Sequence, residues 1–253
     1  MRIDLGTHEL RLREAGRGDP VFLCLHGLAD TGEIWSKLVP HLAAHGRVLS
    51  LDQRAHGSSG APPGPYRRED LAADVVAVLD RVGVRKAVLV GHSMGGVVAL
   101  TTALAYPERV AGLLLLGTTS QCSRQAAEWY EKIARAAETD GIEGFRRAIY
   151  GRVEKTIEGD AQGLAHVTRC LRSLHGDPLT PRLGELRCPA CFLVGSKDPM
   201  GTKASEIAAA AVPGAELEVL EGHGHWLHVE APEKVALAAL RLLRRIEGKG
   251  GEA

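Results

Sequence analysis

Short apolar runs alternate with amphipathic segments along most of the 253-residue chain. The runs with the length of a strand lie at residues 21–25, 48–51, 87–90, 113–116, 191–194 and 217–220. The segments with a helical period lie between or after them, at residues 35–45, 68–82, 95–105, 202–211 and 232–246. Strands that alternate with helices form a parallel sheet with both faces covered. The alternation therefore predicts an α/β fold with a mostly parallel, doubly wound sheet.

One long segment, residues 119–182, interrupts this alternation. It has no convincing strand pattern, whereas Trp129, Tyr130, Ile133 and Ala137 are spaced as on one helix face. The segment begins after the carboxyl end of one predicted strand, at the sheet edge where open α/β sheets bind ligands. We predict an inserted helical cap over that edge. The alternative is a set of packing helices with no role in substrate choice.

The cap divides the predicted core into two stretches, residues 1–118 and 183–253. The last residues, 248–253, are rich in glycine and are predicted to form a disordered tail.

Charge and length limit the classes of partner. The chain has 31 Lys plus Arg and 31 Asp plus Glu, so its formal net charge is zero. This balance argues against a nucleic-acid or anionic membrane partner and favours a small molecule. The amino terminus lacks an apolar signal-type stretch, and the run at residues 113–116 is too short to cross a bilayer. We expect a soluble cytoplasmic protein, and the sequence leaves its oligomeric state open.

The cysteines do not resemble a disulfide framework, because there are five of them and they are scattered. Cys188 and Cys191 form a C-x-x-C pair, but no second pair completes a zinc site. We predict that most cysteines are reduced packing residues, with a redox or metal role as the alternative.

Residues 91–96, Gly-His-Ser-Met-Gly-Gly, follow a predicted strand and begin a predicted helix. A G-x-S-x-G sequence at such a turn is typical of a nucleophile elbow, on which the serine is held in a strained conformation. Gly91 and Gly95 leave room for the strand and helix to approach each other. Ser93 is therefore a candidate nucleophile, and the alternative is an ordinary strand-to-helix turn.

A serine hydroxyl needs a base within hydrogen-bond reach, and that base needs a carboxylate to orient it. Asp198 and His225 each follow a predicted strand, so both should lie at the same sheet edge as Ser93. The turn after the first apolar run places the Leu28 backbone N–H at this edge, and Met94 offers a second N–H. Such amides stabilise the oxyanion of a tetrahedral intermediate.

The chain resembles the α/β-hydrolase fold family, in its compact capped, single-domain form, over nearly its whole length. The motifs that carry the resemblance lie at residues 26–27, 52–59, 91–96, 195–198 and 224–230. The resemblance implies that Ser93 is the nucleophile, Asp198 the acid and His225 the base, with the oxyanion amides on Leu28 and Met94. It implies no metal and no cofactor.

Rival residues lie near these positions. His223 and His228 are alternative bases, but His225 follows glycine and precedes an aromatic residue, as the family's catalytic histidine does. Asp52 is an alternative acid, although its sequence context is typical of a turn-stabilising carboxylate. His26 and His92 are interpreted as supporting groups, since no metal-ligand spacing accompanies them.

The first functional hypothesis is hydrolysis of small or medium carboxylic esters, lactones included. The second is a carbon–carbon hydrolase of ring-cleavage products, although that subgroup tends to have Asn where this chain has His92. A haloperoxidase side activity and a small-molecule receptor remain further alternatives. Because position 93 is serine, the chain is not expected to resemble the epoxide hydrolases and haloalkane dehalogenases of this fold, whose nucleophile is aspartate.

Four aromatic residues are candidate pocket residues, namely Trp129, Tyr130, Phe145 and Trp226. Tyr150, also in the cap segment, could line the same pocket. The aromatic residues of the cap segment could instead pack the cap onto the core, which is the commoner role of aromatics at helical spacing.

Overall fold

The computed structural model describes residues 1–250, with side chains described through residue 248. Within that range, eight strands form one sheet in the order β1-β2-β4-β3-β5-β6-β7-β8. They are β1 Arg2–Asp4, β2 Glu9–Ala15, β3 Val21–Leu25, β4 Arg47–Asp52, β5 Ala87–His92, β6 Val110–Leu116, β7 Ala190–Gly195 and β8 Glu216–Leu220. The pairings of β1 with β2 and of β2 with β4 are antiparallel, and all others are parallel. The predicted mostly parallel sheet is confirmed.

Helices cover both faces of this sheet. They are α1 Val39–Ala43, α2 Arg68–Arg81, α3 Met94–Ala105, α4 Arg124–Tyr150, α5 Ala161–Arg172, α6 Lys203–Ala211, α7 Leu227–Glu230 and α8 Pro232–Gly250. Alternate residues of β3 point to opposite sides, so that Leu23 and Leu25 join one apolar cluster and Phe22 and Cys24 join the other. The first cluster includes α2 and α3 residues, and the second includes α8 residues. The predicted doubly wound arrangement follows from this two-sided burial.

The structure differs from the predicted elements in two places. The strands β1 and β2 carry no continuous apolar run, because only Leu10 and Leu12 of β2 alternate into the core. The predicted helix at residues 35–45 is a 3₁₀ turn, Gly32–Trp35, followed by the short helix α1. Pro40 lies in the first turn of α1, a position where proline's missing N–H costs no hydrogen bond, whereas inside one longer helix it would.

The segment between β6 and β7 contains α4 and α5 and two 3₁₀ turns, Ser173–His175 and Thr180–Glu185. Helix α4 is kinked at Gly141, where φ is 64° and ψ is −153°. The division into core and cap at residues 119–182 stays a prediction. Of the expected tail at 248–253, residues 248–250 belong to α8, and residues 251–253 lie outside the described part of the chain. Among the helices described, none is long and apolar enough to cross a membrane.

Candidate active site

Ser93 occupies a sharp turn between β5 and α3. Its backbone has φ 50° and ψ −113°, a conformation that non-glycine residues rarely adopt. A Cβ atom added to Gly95 would lie 1.9 Å from the Leu25 carbonyl oxygen, and one added to Gly91 would lie 2.6 Å from the Gly95 carbonyl oxygen. Only glycine fits at either position. The strained conformation of Ser93 and the glycines two residues before and after it both result from the close approach of α3 to β5 and β3.

Asp198 and His225 meet in the turns after β7 and β8. The His225 Nδ1–H donates to Asp198 Oδ2 at 2.7 Å, while the Met200 backbone N–H donates to Asp198 Oδ1 at 2.8 Å. The Asp198 side chain is 1% exposed and that of His225 is 11% exposed. Burial keeps water from competing for this charge-assisted hydrogen bond, and the bond leaves His225 Nε2 available for another partner.

Ser93 and His225 line one cavity of about 270 Å³. The predicted residues that it brings together are Leu28, Ser93, Trp129, Tyr130, His225 and Trp226. Asp198 lies behind His225 rather than in the wall. Phe145 does not belong to the wall: its side chain is 0% exposed and packs in the apolar core, so the pocket role predicted for it is corrected to packing.

Of the two predicted amide donors, Met94 directly follows Ser93, and Leu28 shares its cavity wall. Leu28 belongs to the cavity wall, in the turn that follows β3. Met94 is the first residue of α3, and the first N–H groups of a helix have no acceptor within that helix. This end of a helix also favours negative charge. The positions suit an oxyanion site, and the donor roles stay predictions.

The rival residues have other partners. His223 Nδ1 contacts the Glu221 carbonyl oxygen at 2.8 Å. His228 is fully buried between Trp35 and His92, with ring centres 4.4 and 4.6 Å away, and burial lowers its pKa to about 3. Such a ring is neutral at pH 7 and has no exposed face from which to act as the base.

Asp52, the rival acid, stabilises turns, as its sequence context suggested. Its Oδ1 accepts hydrogen bonds from the Gly32 N–H at 2.7 Å and from Arg13 Nη1 at 2.5 Å. His26 does similar work: its Nε2 accepts from the Gln53 N–H at 3.0 Å. These bonds tie the turn after β3 to the turn after β4.

His92 supports the loop that carries His225. Its Nε2–H donates to the His225 carbonyl oxygen at 3.1 Å, and the two rings lie 4.6 Å apart. Burial and the neighbouring His228 and His225 hold the pKa of His92 well below its usual value. A neutral His92 therefore adds no positive charge next to His225.

Sequence reasoning missed several wall residues, above all Asp30 and Met200. Asp30 lies in the same turn as Leu28, so its place after β3 was a usable signal. Met200 follows Asp198 by two positions. Of the two roles that the sequence leaves open for Tyr150, the structure shows a place in the cavity wall. Among the described residues, no group of three or more His, Cys, Asp or Glu side chains has the arrangement of a metal site.

Cys191 is one of the three buried cysteines among the described residues. It is fully buried in β7, and burial raises its pKa to about 11. Within the described residues none of the cysteines forms a disulfide. A protonated thiol inside the sheet is suited to packing rather than to redox chemistry.

Comparisons with known proteins agree with this fold. A family model described as the alpha/beta hydrolase fold matches residues 20–137. The chain is 28% identical to 3-oxoadipate enol-lactonase 2 of Acinetobacter baylyi, over 91% of each chain. It is 27% identical to a solved thermophilic esterase from Thermogutta terrifontis, with a TM-score of 0.84 over 97% of this chain and 99% of that one.

Epoxide hydrolase A of Mycobacterium tuberculosis is also similar, at 27% identity over 97% of each chain. This likeness corrects the expectation that the chain does not resemble epoxide hydrolases, and what speaks against epoxide chemistry is the serine at position 93. The matched family model, the similar chains and the solved structures show that this chain has the α/β-hydrolase fold, and they support a hydrolase.

Proposed function

We propose that the protein hydrolyses small or medium carboxylic esters, lactones included, with Ser93, His225 and Asp198 as its catalytic triad. The observation that carries the proposal is the Asp198–His225 hydrogen bond of 2.7 Å beside the same cavity that the strained Ser93 lines. A buried carboxylate that orients a histidine, with a half-buried, strained serine in the same cavity wall, is the arrangement that acyl transfer requires.

The reaction divides into two acyl transfers. His225 Nε2 takes the Ser93 proton as Ser93 Oγ attacks the ester carbonyl, and the Leu28 and Met94 amides stabilise the resulting oxyanion. The imidazolium then gives its proton to the departing alcohol, which leaves an acyl-enzyme on Ser93. A water molecule, deprotonated by His225, attacks this ester and releases the acid, while Asp198 stabilises the imidazolium in both halves.

The cavity supports a small substrate. Its volume of about 270 Å³ is at the low end for ligand pockets, and Trp129, Tyr130 and Tyr150 from the cap segment narrow it. Short acyl chains should therefore bind best. Lactones are included because a chain 28% identical over 91% of each sequence is named an enol-lactonase. The proposed reaction needs no metal and no cofactor, and a cytoplasmic location stays a prediction.

The test is hydrolysis of p-nitrophenyl esters from acetate to long acyl chains by wild type, Ser93→Ala and Ser58→Ala. Ser58 is exposed, so its variant is a matched control for loss of a serine hydroxyl. We expect wild type and the control to turn over the short esters alike, and Ser93→Ala to lose at least about a thousandfold in kcat. Equal rates in wild type and Ser93→Ala, with the fold intact by circular dichroism, would refute the proposal.

A further inference from the structure

A buried carboxylate, that of Asp30, forms part of the cavity wall. Its side chain is 3% exposed and belongs to the same turn as Leu28. One of its oxygens, Oδ2, accepts a long hydrogen bond from Trp226 Nε1 at 3.4 Å and lies 4.0 Å from His92 Nδ1. Asp30 therefore joins the turn that carries Leu28 to His92 and Trp226, and it shares the cavity wall with Ser93 and His225.

The counter-ion of this carboxylate is Lys155, from the segment between α4 and α5. Lys155 Nζ donates to Asp30 Oδ1 at 2.7 Å and to the Tyr150 hydroxyl at 2.9 Å. It also lies 4.7 Å from the centre of the Tyr150 ring and 5.5 Å from that of Trp226. Burial lowers the pKa of Lys155, but Asp30 and Tyr150 outweigh burial and raise it above the usual value. The Lys155 ammonium is therefore charged, and it already donates hydrogen bonds to Asp30 and Tyr150.

The charged groups around the cavity are therefore unfavourable for an anionic substrate. Among the described residues that line the cavity, Asp30 is the one carboxylate, and no lysine or arginine is present. An anionic substrate would lose hydration and find no cation free to replace it, because Lys155 already pairs with Asp30. A neutral ester meets an ion pair whose charges are satisfied, together with apolar and aromatic walls.

We propose that the Asp30–Lys155 pair restricts this active site to uncharged esters and lactones and discriminates against those that carry a carboxylate. This inference rests on the proposed ester hydrolysis and adds a substrate class to it. Asp30 is the specificity-determining residue, because its negative charge repels an anion and at the same time neutralises the nearby cation. Lys155 limits the repulsion. Removing the charge of Asp30 and removing that of Lys155 should therefore change the selectivity in opposite directions.

Two phenyl esters of nearly equal shape test the inference, 4-acetylphenyl acetate and 4-carboxyphenyl acetate. The first has a methyl group where the second has a carboxylate oxygen. Both release a phenol that absorbs in the ultraviolet. The measured quantity is the ratio of kcat/KM for the neutral ester to that for the anionic ester, each divided by its rate of spontaneous hydrolysis. We expect a ratio of roughly ten or more in wild type, since two like charges in a low-dielectric site repel strongly.

Two variants change the charge in opposite directions. Asp30→Asn should lower the ratio by about tenfold, because it removes the negative charge and leaves Lys155 unpaired. Lys155→Met should raise the ratio, because Asp30 then lacks its cation. Asp80→Asn is the matched control, since Asp80 pairs with Arg109 at 2.7 Å and its side chain is 62% exposed. The control should leave the ratio unchanged.

The outcomes separate the two proposals. A wild-type ratio near one overturns the inference without affecting the proposal of ester hydrolysis, and this measurement requires no variant. A ratio that neither Asp30→Asn nor Lys155→Met changes also overturns it, and either variant suffices if the other does not fold. Negligible hydrolysis of the neutral ester, equal in wild type and Ser93→Ala, refutes the proposed function itself.

Discussion

Replacing Gly95 by alanine should destabilise the protein and displace the serine turn. The new Cβ would lie 1.9 Å from the Leu25 carbonyl oxygen and 2.7 Å from that of His26. Both contacts are with backbone, so no side-chain rotation relieves them, and α3 must move away from β3 by more than 1 Å to reach an ordinary separation. Backbone overpacking of this size costs about 3 kcal/mol, at the upper end of the usual range.

This cost can be measured by thermal unfolding. In a protein of this size, about 3 kcal/mol lowers Tm by roughly 6–12 °C. The matched control is Gly184→Ala, because a Cβ at Gly184 meets nothing within 4 Å. We expect the control to shift Tm by less than about 2 °C. Esterase activity per folded molecule should also fall in Gly95→Ala, because Ser93 directly precedes the displaced helix. Equal Tm values for the two variants would refute the reasoning about the crossing.

Three further predictions concern a buried ion pair, a buried histidine and the cavity. Asp74→Asn should cost about 3 kcal/mol in the free energy of unfolding measured with urea, because Arg54, whose side chain is 9% exposed, loses a two-point ion pair of 2.6 and 2.7 Å. The folded-state pKa of His228 is about 3 against 6.5 for the free ring, so unfolding takes up a proton below pH 6.5 and stability falls as pH drops towards 3. Between pH 7 and 5 the loss from this ring is about 2 kcal/mol, and His228→Gln should show a correspondingly shallower pH dependence of urea unfolding. Trp129→Ala should move the p-nitrophenyl ester optimum to longer acyl chains, because it removes part of the cavity wall.

Each of these predictions has a contradicting result. An Asp74→Asn variant as stable as wild type would mean that Arg54 finds another partner. Identical pH slopes for wild type and His228→Gln would show that His228 is not the titrating group. An unchanged chain-length optimum in Trp129→Ala would place the acyl chain away from that wall.

The serine turn could be predicted from sequence because its cause is local. Ser93, Gly91 and Gly95 lie within five residues, and the close backbone crossing requires their spacing. The Asp198 and His225 positions follow from a second general rule, that the carboxyl ends of parallel strands share one sheet edge. Both residues follow strands, and the structure brings them within 2.7 Å of each other.

The remaining wall could not be predicted, because it depends on contacts between distant segments. Asp30 and Lys155 are 125 residues apart in sequence, and no local pattern links them. Phe145 shows a different limit: Gly141 kinks α4, so the helical spacing that groups it with Trp129 does not continue through the helix. Trp129 lines the cavity, whereas Phe145 packs in the core.

The central claim is that Ser93 is the nucleophile of the hydrolase, and covalent labelling tests it most directly. Wild-type protein would be treated with a fluorophosphonate, a reagent that phosphonylates activated serines, and residual p-nitrophenyl acetate hydrolysis would be compared with the labelled fraction by mass spectrometry. We expect one adduct per chain, on the peptide that contains Ser93, with activity lost in proportion to labelling. Labelling of another residue, or full activity after Ser93 is labelled, would contradict the account.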